Sequence, residues 1–312
     1  LMLRFVPMFG GKGIWISVFL SVSAYCNAGF DILGFLKPDA SLELFVGDPL
    51  VCLTICCLII LGGIGFIVTV DLYNWGRKRV RKEERRPHLT LHTRIVLVST
   101  ASLLVLGTVL TLGLEYDHTL KDLNFWEKLN ASFFQSVTAR TAGYATIPQG
   151  ELGDATKLVT IILMFIGASP SSTGGGIKTT TFVVLVATVV SISRGRDETV
   201  INKRRVDKSV VYRAMTIVAM AFLVIAITSG VIMVTTPPEV SAIDAVYEAV
   251  SAFGTVGLTT GLTPDLSIVA KILVMLTMFI GRVGPISLVL ALTMKHSGGP
   301  GKILPEGKVI VG

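Results

Sequence analysis

Three short polar segments, each containing a glycine near its end, recur inside very apolar sequence. Ser23-Ala24-Tyr25-Cys26-Asn27-Ala28-Gly29-Phe30 returns as Ser136-Val137-Thr138-Ala139-Arg140-Thr141-Ala142-Gly143-Tyr144 and again as Ser251-Ala252-Phe253-Gly254-Thr255-Val256-Gly257-Leu258. Gly29, Gly143 and Gly257 are 114 residues apart in both steps (143 − 29 and 257 − 143). Met164-Phe165-Ile166-Gly167 comes back as Met278-Phe279-Ile280-Gly281 at the same interval of 114. A fixed period marks an architecture built by repetition. Glycine permits backbone angles that turn carbonyl oxygens toward an axis, and rings of such carbonyls replace the water shell of a monovalent cation. The chemistry within reach is therefore coordination of a monovalent cation by backbone oxygens at Asn27, Ala28 and Gly29, at Thr141, Ala142 and Gly143, and at Thr255, Val256 and Gly257.

The elements that must carry these loops belong to a membrane. The chain is 51% hydrophobic and 16% charged, with a mean hydropathy of +0.71, outside the range of soluble domains. Apolar stretches near 49–73, 94–114, 157–191, 210–234 and 267–294 are long enough to cross hydrocarbon. Shorter amphipathic pieces at 126–138 and 242–254, and one near 13–26, each run into a glycine segment. Extended backbone at membrane depth survives only where it lines a cavity or is buried in protein. The unit predicted is a rising helix, a re-entrant pore helix aiming its partially negative end at an axis, a filter loop and a descending helix. An all-α membrane fold is expected, divided into 1–80 (the second half of a unit), 81–195 (a complete unit) and 196–312 (a complete unit with a short tail).

Charge orients the chain. Eight Lys or Arg fall between Trp75 and Arg94 and seven between Arg194 and Arg213, against two in 115–128 and none in 235–248. The positive-inside rule puts the basic loops in the cytoplasm. Because both runs abut membrane spans, membrane lipid or a cytoplasmic subunit is the expected partner, not nucleic acid. Cys52, Cys56 and Cys57 lie in an apolar span and Cys26 beside a glycine loop, with no metal-ligand spacing.

The stretch Gly167-Ala168-Ser169-Pro170-Ser171-Ser172-Thr173-Gly174-Gly175-Gly176-Ile177-Lys178-Thr179 breaks an apolar span. It is not a phosphate-binding loop, since Ile177 separates glycine from lysine and no strand precedes it. Pro170 removes a backbone donor, the glycines weaken the helix, and Ser169, Ser171, Ser172 and Thr173 can satisfy freed backbone groups. Such a loop beneath a filter reads as a gate, with Gly167, Gly174, Gly175, Gly176 and Lys178 in it. Arg282, one residue after Gly281, is an intramembrane cation expected either to hydrogen-bond the broken loop or to serve structure alone. Arg140 is expected to anchor its loop, and His88, His92, His118 and His296 carry no assignment.

The glycine segments resemble the filter loops of the Trk/Ktr/HKT potassium-transporter superfamily, and 167–179 resembles its intramembrane gating loop. Gly281-Arg282-Val283-Gly284-Pro285 is similar to the broken last helix of the Ktr membrane subunit, and the likeness runs through Pro305-Glu306-Gly307-Lys308. The resemblance implies four repeats around a pseudo-fourfold axis, a homodimer, a cytoplasmic nucleotide-binding regulatory ring, and location in the cell membrane of a bacterium. This chain carries two and a half repeats, so a longer protein with a further N-terminal third is expected.

Two other classes compete. An ion-coupled carrier, linked to Na⁺ or H⁺, places carboxylates within its spans, whereas Asp71 and Glu115 sit only at span borders. A membrane enzyme needs a catalytic grouping, and no HExxH, nucleophile elbow or Ser/His/Asp pattern is present. The expected activity is inward K⁺ passage with no covalent cofactor, Na⁺ being a possible coupling ion.

Overall fold

The computed structural model describes residues 1–38, 40–81, 88–237 and 240–284. Pro285, the tail and His296 lie outside them, as do Lys82, Arg85 and Arg86 of the first basic run. The described chain is helical almost throughout: α1 Met2–Phe9, α2 Gly11–Tyr25, α3 Pro49–Ile64, α4 Phe66–Val80, α5 Leu91–Glu115, α6 Phe125–Thr138, α7 Asp154–Phe165, α8 Thr179–Ser193, α9 Lys208–Thr235, α10 Ala242–Gly254 and α11 Ile268–Val283. A two-residue antiparallel ladder, β1 Val200–Ile201 with β2 Arg204–Arg205, closes the hairpin between α8 and α9.

Local chemistry sets the helix starts. Asp48 accepts from the amides of Leu50 and Val51 at 3.1 and 3.4 Å, with Pro49 at the first helical position of α3. Asn124 and Glu127 close a capping box on α6, Glu127 accepting the Asn124 amide at 2.9 Å. Thr90 caps α5, and Asp71 of α4 in turn accepts the Thr90 amide at 3.0 Å and hydroxyl at 2.9 Å.

By length and composition α5 and α9 suffice to cross a membrane, and α3 with α4 would make a third span. Those two do not form the single helix expected over 49–73. Gly65, at φ 96°, ends α3, and α4 departs at 97° to it. The 157–191 stretch is divided into α7 and α8 by the loop 166–178. Within 267–294, α11 stops at Gly284, where φ is 90°.

The short helices α6 and α10 are largely buried, and α2 buries one face, with Ile16, Leu20 and Ala24, while Trp15 and Val22 stay exposed. Phe134, Leu20, Ile55, Phe45 and Tyr144 bury together where α2, α3 and α6 meet. Tyr247, Phe253, Met164, Ile177 and Ala270 do so where α7, α9, α10 and α11 meet. Two contacts repeat across these groups. A Cβ on Gly62 of α3 would fall on the Tyr25 carbonyl oxygen, and one on Gly281 of α11 on that of Phe253. Tyr25 and Phe253 are two periods apart and lie in the last turns of α2 and α10 respectively. The descending helix therefore touches the short helix backbone to backbone in both units, which a side chain would prevent.

Candidate functional site

The short helices deliver three loops with one backbone conformation. Asn27, Thr141 and Thr255 all lie in the left-handed region at φ 51°, 72° and 51°, and Gly29, Gly143 and Gly257 follow at 71°, 88° and 94°. For Thr, β-branched, such a conformation is costly, so tertiary packing must impose it. The residue after each glycine shows how. The carbonyl of Phe30 accepts the Ser23 hydroxyl at 2.8 Å, that of Tyr144 the Thr138 hydroxyl at 2.6 Å, and that of Leu258 the Ser251 hydroxyl at 2.6 Å. Each loop is thus pinned to its own helix just past the glycine.

The loops stand side by side in chain order. A Cβ on Gly29 would fall on the carbonyl oxygen of Ala142, and one on Gly143 on that of Val256. Ala142 and Val256 are repeat equivalents, so the same contact is made twice. For Gly257 the nearest such neighbour is the Cα of Gly143 at 3.7 Å. Asn27 Nδ2 bridges to Thr141 Oγ1 at 3.3 Å and to the Arg140 carbonyl at 3.5 Å. The three glycines line one cavity of about 350 Å³ together with Asp31, Glu43 and Gln149. Asp31 and Glu43 put carboxylates at its rim, a feature hidden in the sequence because both lie in the long connection before α3.

The broken loop packs against the opposite side of the threonines. Gly174 and Gly175 abut Thr141 Oγ1 and Thr255 Oγ1. Its ends are joined by a parallel bridge between Ile166 and Ile177, and a Cβ on Gly167 would fall on the Gly175 carbonyl. Ser169 and Thr179 pair their hydroxyls at 3.2 Å, while Ser172 Oγ is buried with no partner among the described residues. The loop is also bound to the break in α3. The amides of Ser169 and Thr173 donate to the carbonyls of Gly63 and Gly62 at 3.1 and 3.3 Å, and the Thr173 hydroxyl donates to the Tyr25 carbonyl at 3.2 Å. The Phe66 amide returns a bond to the Ser171 carbonyl at 2.9 Å.

Three basic residues near the loops differ in what they bond. Lys178 Nζ, not Arg282, bonds the loop, donating to the Gly174 carbonyl at 2.6 Å. Among the described residues Arg282 makes no hydrogen bond to the loop; it is exposed and within Coulombic reach of Lys178. Arg140 is buried behind the second loop with its Nε unpartnered among the described residues, and its carbonyl, not its guanidinium, joins the inter-loop contact. The border carboxylates are occupied: Glu115 accepts from the Gly153 amide at 3.0 Å and the Thr119 hydroxyl at 2.9 Å, and Asp71 accepts the amide and hydroxyl of Thr90, the cap of α5. Among the described residues no grouping of His, Cys, Asp and Glu could hold a metal ion.

Apolar spans around buried, hydroxyl-pinned polar loops define a helical membrane transport protein. The chain belongs to the TrkH family of cation transport proteins, whose family model matches residues 7–299. It is 38% identical to the Ktr system potassium uptake protein B of Bacillus subtilis (strain 168), over 100% of this chain and 67% of that protein. It is 39% identical to the potassium/sodium uptake protein NtpJ of Enterococcus hirae, over 99% of this chain and 66% of that protein. The crystal structure of the potassium transporter TrkH from Vibrio parahaemolyticus shares the fold, with TM-score 0.66 and 18% identity over 91% of this chain and 63% of that one. The chain thus spans about two thirds of the length of the relatives it matches.

Proposed function

We propose that the chain forms part of the membrane pore of a potassium uptake system, in the cell membrane, passing K⁺ inward down its electrochemical gradient. The observation that carries this is the shared left-handed pairs Asn27/Gly29, Thr141/Gly143 and Thr255/Gly257, whose three glycines line one cavity. In this reading 1–80, 81–195 and 196–312 are successive repeats about a pseudo-fourfold axis. The carbonyls of the nine loop residues are the filter, and K⁺ is the cargo. The acidic rim of Asp31 and Glu43 raises the local cation concentration. The loop 167–179, lying against the threonines at the other end of the filter, is the gate.

The names of the relatives support this cargo: two are uptake proteins for potassium, or for potassium and sodium. They also leave Na⁺ a place as a second or coupling ion. The basic loops face the cytoplasm, where anionic lipid or a regulatory ring subunit meets them, and the pore works as a homodimer. A carboxylate-relay carrier finds less support, because Glu115 and Asp71 are engaged at helix ends and do not line the cavity. The test is growth at low K⁺ of a strain lacking K⁺ uptake, expressing the complete protein. Rescue dependent on Gly143 is the expected result. No rescue by a protein present in the membrane, or pH-driven exchange insensitive to the glycines, overturns the reading.

A further inference from the structure

We propose that Thr141 and Thr255 form a seat that latches the intramembrane loop beneath the filter, with Gly174 and Gly175 as the seated residues. The proposal rests on the filter-and-gate reading above and assigns the positioning residues that join its two halves.

The space a side chain would need at Gly174 is taken by Thr141 Oγ1 and by the Ala168 methyl, and at Gly175 by Thr255 Oγ1. Neither glycine has positive φ; in this loop only Ser171 and Gly176 do, at 58° and 67°. The backbone at 174 and 175 would therefore accept alanine; contact with Thr255 excludes it at 175, and contact with Thr141 and Ala168 together excludes it at 174. The fit is reciprocal. Both threonines are held left-handed, where their Oγ1 atoms meet the loop. The first loop carries Asn at the equivalent position 27, a residue that tolerates this conformation well. Among the described residues Thr255 Oγ1 is buried without a hydrogen-bond partner, and Thr141 Oγ1 accepts only the Asn27 amide. Each hydroxyl keeps a lone pair for a glycine Cα–H, a weak contact that recurs where backbones approach closely.

The seat spans two repeats, since Gly174 sits on the second filter loop and Gly175 on the third. Lys178 holds the Gly174 carbonyl, which fixes the height at which the pair rests. Filter and gate are then one mechanical unit: a group added at 175 lifts the loop, and space opened at 255 lets it settle again. Gly175→Ala with Thr255→Ala removes the overlapping oxygen and leaves the Gly254 carbonyl and the Cβ of residue 255, each 3.1 Å from the new methyl, as the tightest remaining contacts.

The experiment measures K⁺ flux into vesicles reconstituted with the complete protein. Gly175→Ala should raise flux about threefold or more over the parent, whereas the same substitution made in Thr255→Ala should change flux by less than about 1.5-fold relative to Thr255→Ala itself. A rise that persists in the Thr255→Ala background overturns the seat while leaving the gate standing. Parental flux in Gly175→Ala, with protein in the membrane at parental level, overturns the gate reading as well. Should Gly175→Ala not fold, hydrogen exchange of the 171–176 amides in Thr255→Ala decides. Faster exchange than in the parent supports the seat, and unchanged exchange overturns it.

Discussion

The amide of Phe66 donates to the carbonyl of Ser171 at 2.9 Å, so the break in one repeat is hydrogen-bonded to the intramembrane loop of the next. Breaking a helix frees carbonyls before the break and amides after it. Here Gly62 and Gly63 offer the carbonyls, Phe66 the amide, and the loop takes up all three. Any movement of the loop must break these bonds or carry α4 with it. Phe66 opens α4, where proline is tolerated because that amide needs no helical partner. Phe66→Pro should therefore delete one bond to the loop while sparing the helix. The loss of about 1 kcal/mol should raise the open fraction about fivefold. K⁺ flux and hydrogen exchange of residues 169–173 should increase together; flux that rises without faster exchange would place the effect elsewhere.

Substitutions at the glycines proposed for the filter should not be equivalent. At Gly143, φ is 88° and an added Cβ would fall on the Val256 carbonyl, so a side chain meets both backbone strain and a filter oxygen. At Gly257, φ is 94° but no atom other than the Gly143 Cα, at 3.7 Å, lies near. Strain alone is about 1–2 kcal/mol. Gly143→Ser should reduce K⁺ preference over Na⁺ more severely than Gly257→Ser, read as competitive uptake of the two ions. Equal preferences in both variants and the parent would remove these residues from the filter.

Much of this was legible because the period of 114 survives wherever the repeats match residue for residue. It brings together Asn27, Thr141 and Thr255, and the structure gives them one conformation. The α3 break escaped that comparison. Gly62 and Gly167 are 105 apart (167 − 62), nine short of the period, because the connection before α3 is longer than its counterparts. A search for Ile-Gly or Leu-Gly followed three residues on by Gly or Pro would have matched Gly62/Gly65 with Gly167/Pro170 and Gly281/Gly284. The hydroxyl pins also hide a slip: Ser23 and Ser251 reach seven residues ahead, but Thr138 reaches six, since Val137 fills the equivalent position. Burial of Arg140 with no carboxylate beside it among the described residues is a property of the packed helices that no local pattern announces.

Orientation can be read chemically. If the basic connections are cytoplasmic, a cysteine replacing exposed Arg204 should be shielded from an impermeant thiol reagent applied outside. One replacing exposed Lys121 should react. The opposite labelling would invert the chain and place the acidic rim of Asp31 and Glu43 inside.

The two basic residues near the loop make opposite demands on the proposed gate. Lys178 Nζ donates to the Gly174 carbonyl at 2.6 Å and steadies the loop directly. A charged donor contributes about 1.5–3 kcal/mol to such a bond, so Lys178→Met should raise K⁺ flux at least about tenfold by loosening the loop. Arg282 acts on the same place through charge alone, for it lies within Coulombic reach of Lys178 and, among the described residues, makes no hydrogen bond to the loop. Removing it relieves like-charge repulsion on Lys178, which favours the seated loop, and also lowers the barrier a passing cation meets. These effects oppose each other, so Arg282→Ala should change flux by no more than about threefold, and less when added choline chloride screens the charge. The double variant separates them. Without Lys178 there is no bond left to strengthen, and Arg282→Ala should then increase flux in every salt. A larger rise from Arg282→Ala than from Lys178→Met in the single variants would show that the arginine, not the lysine, holds the gate.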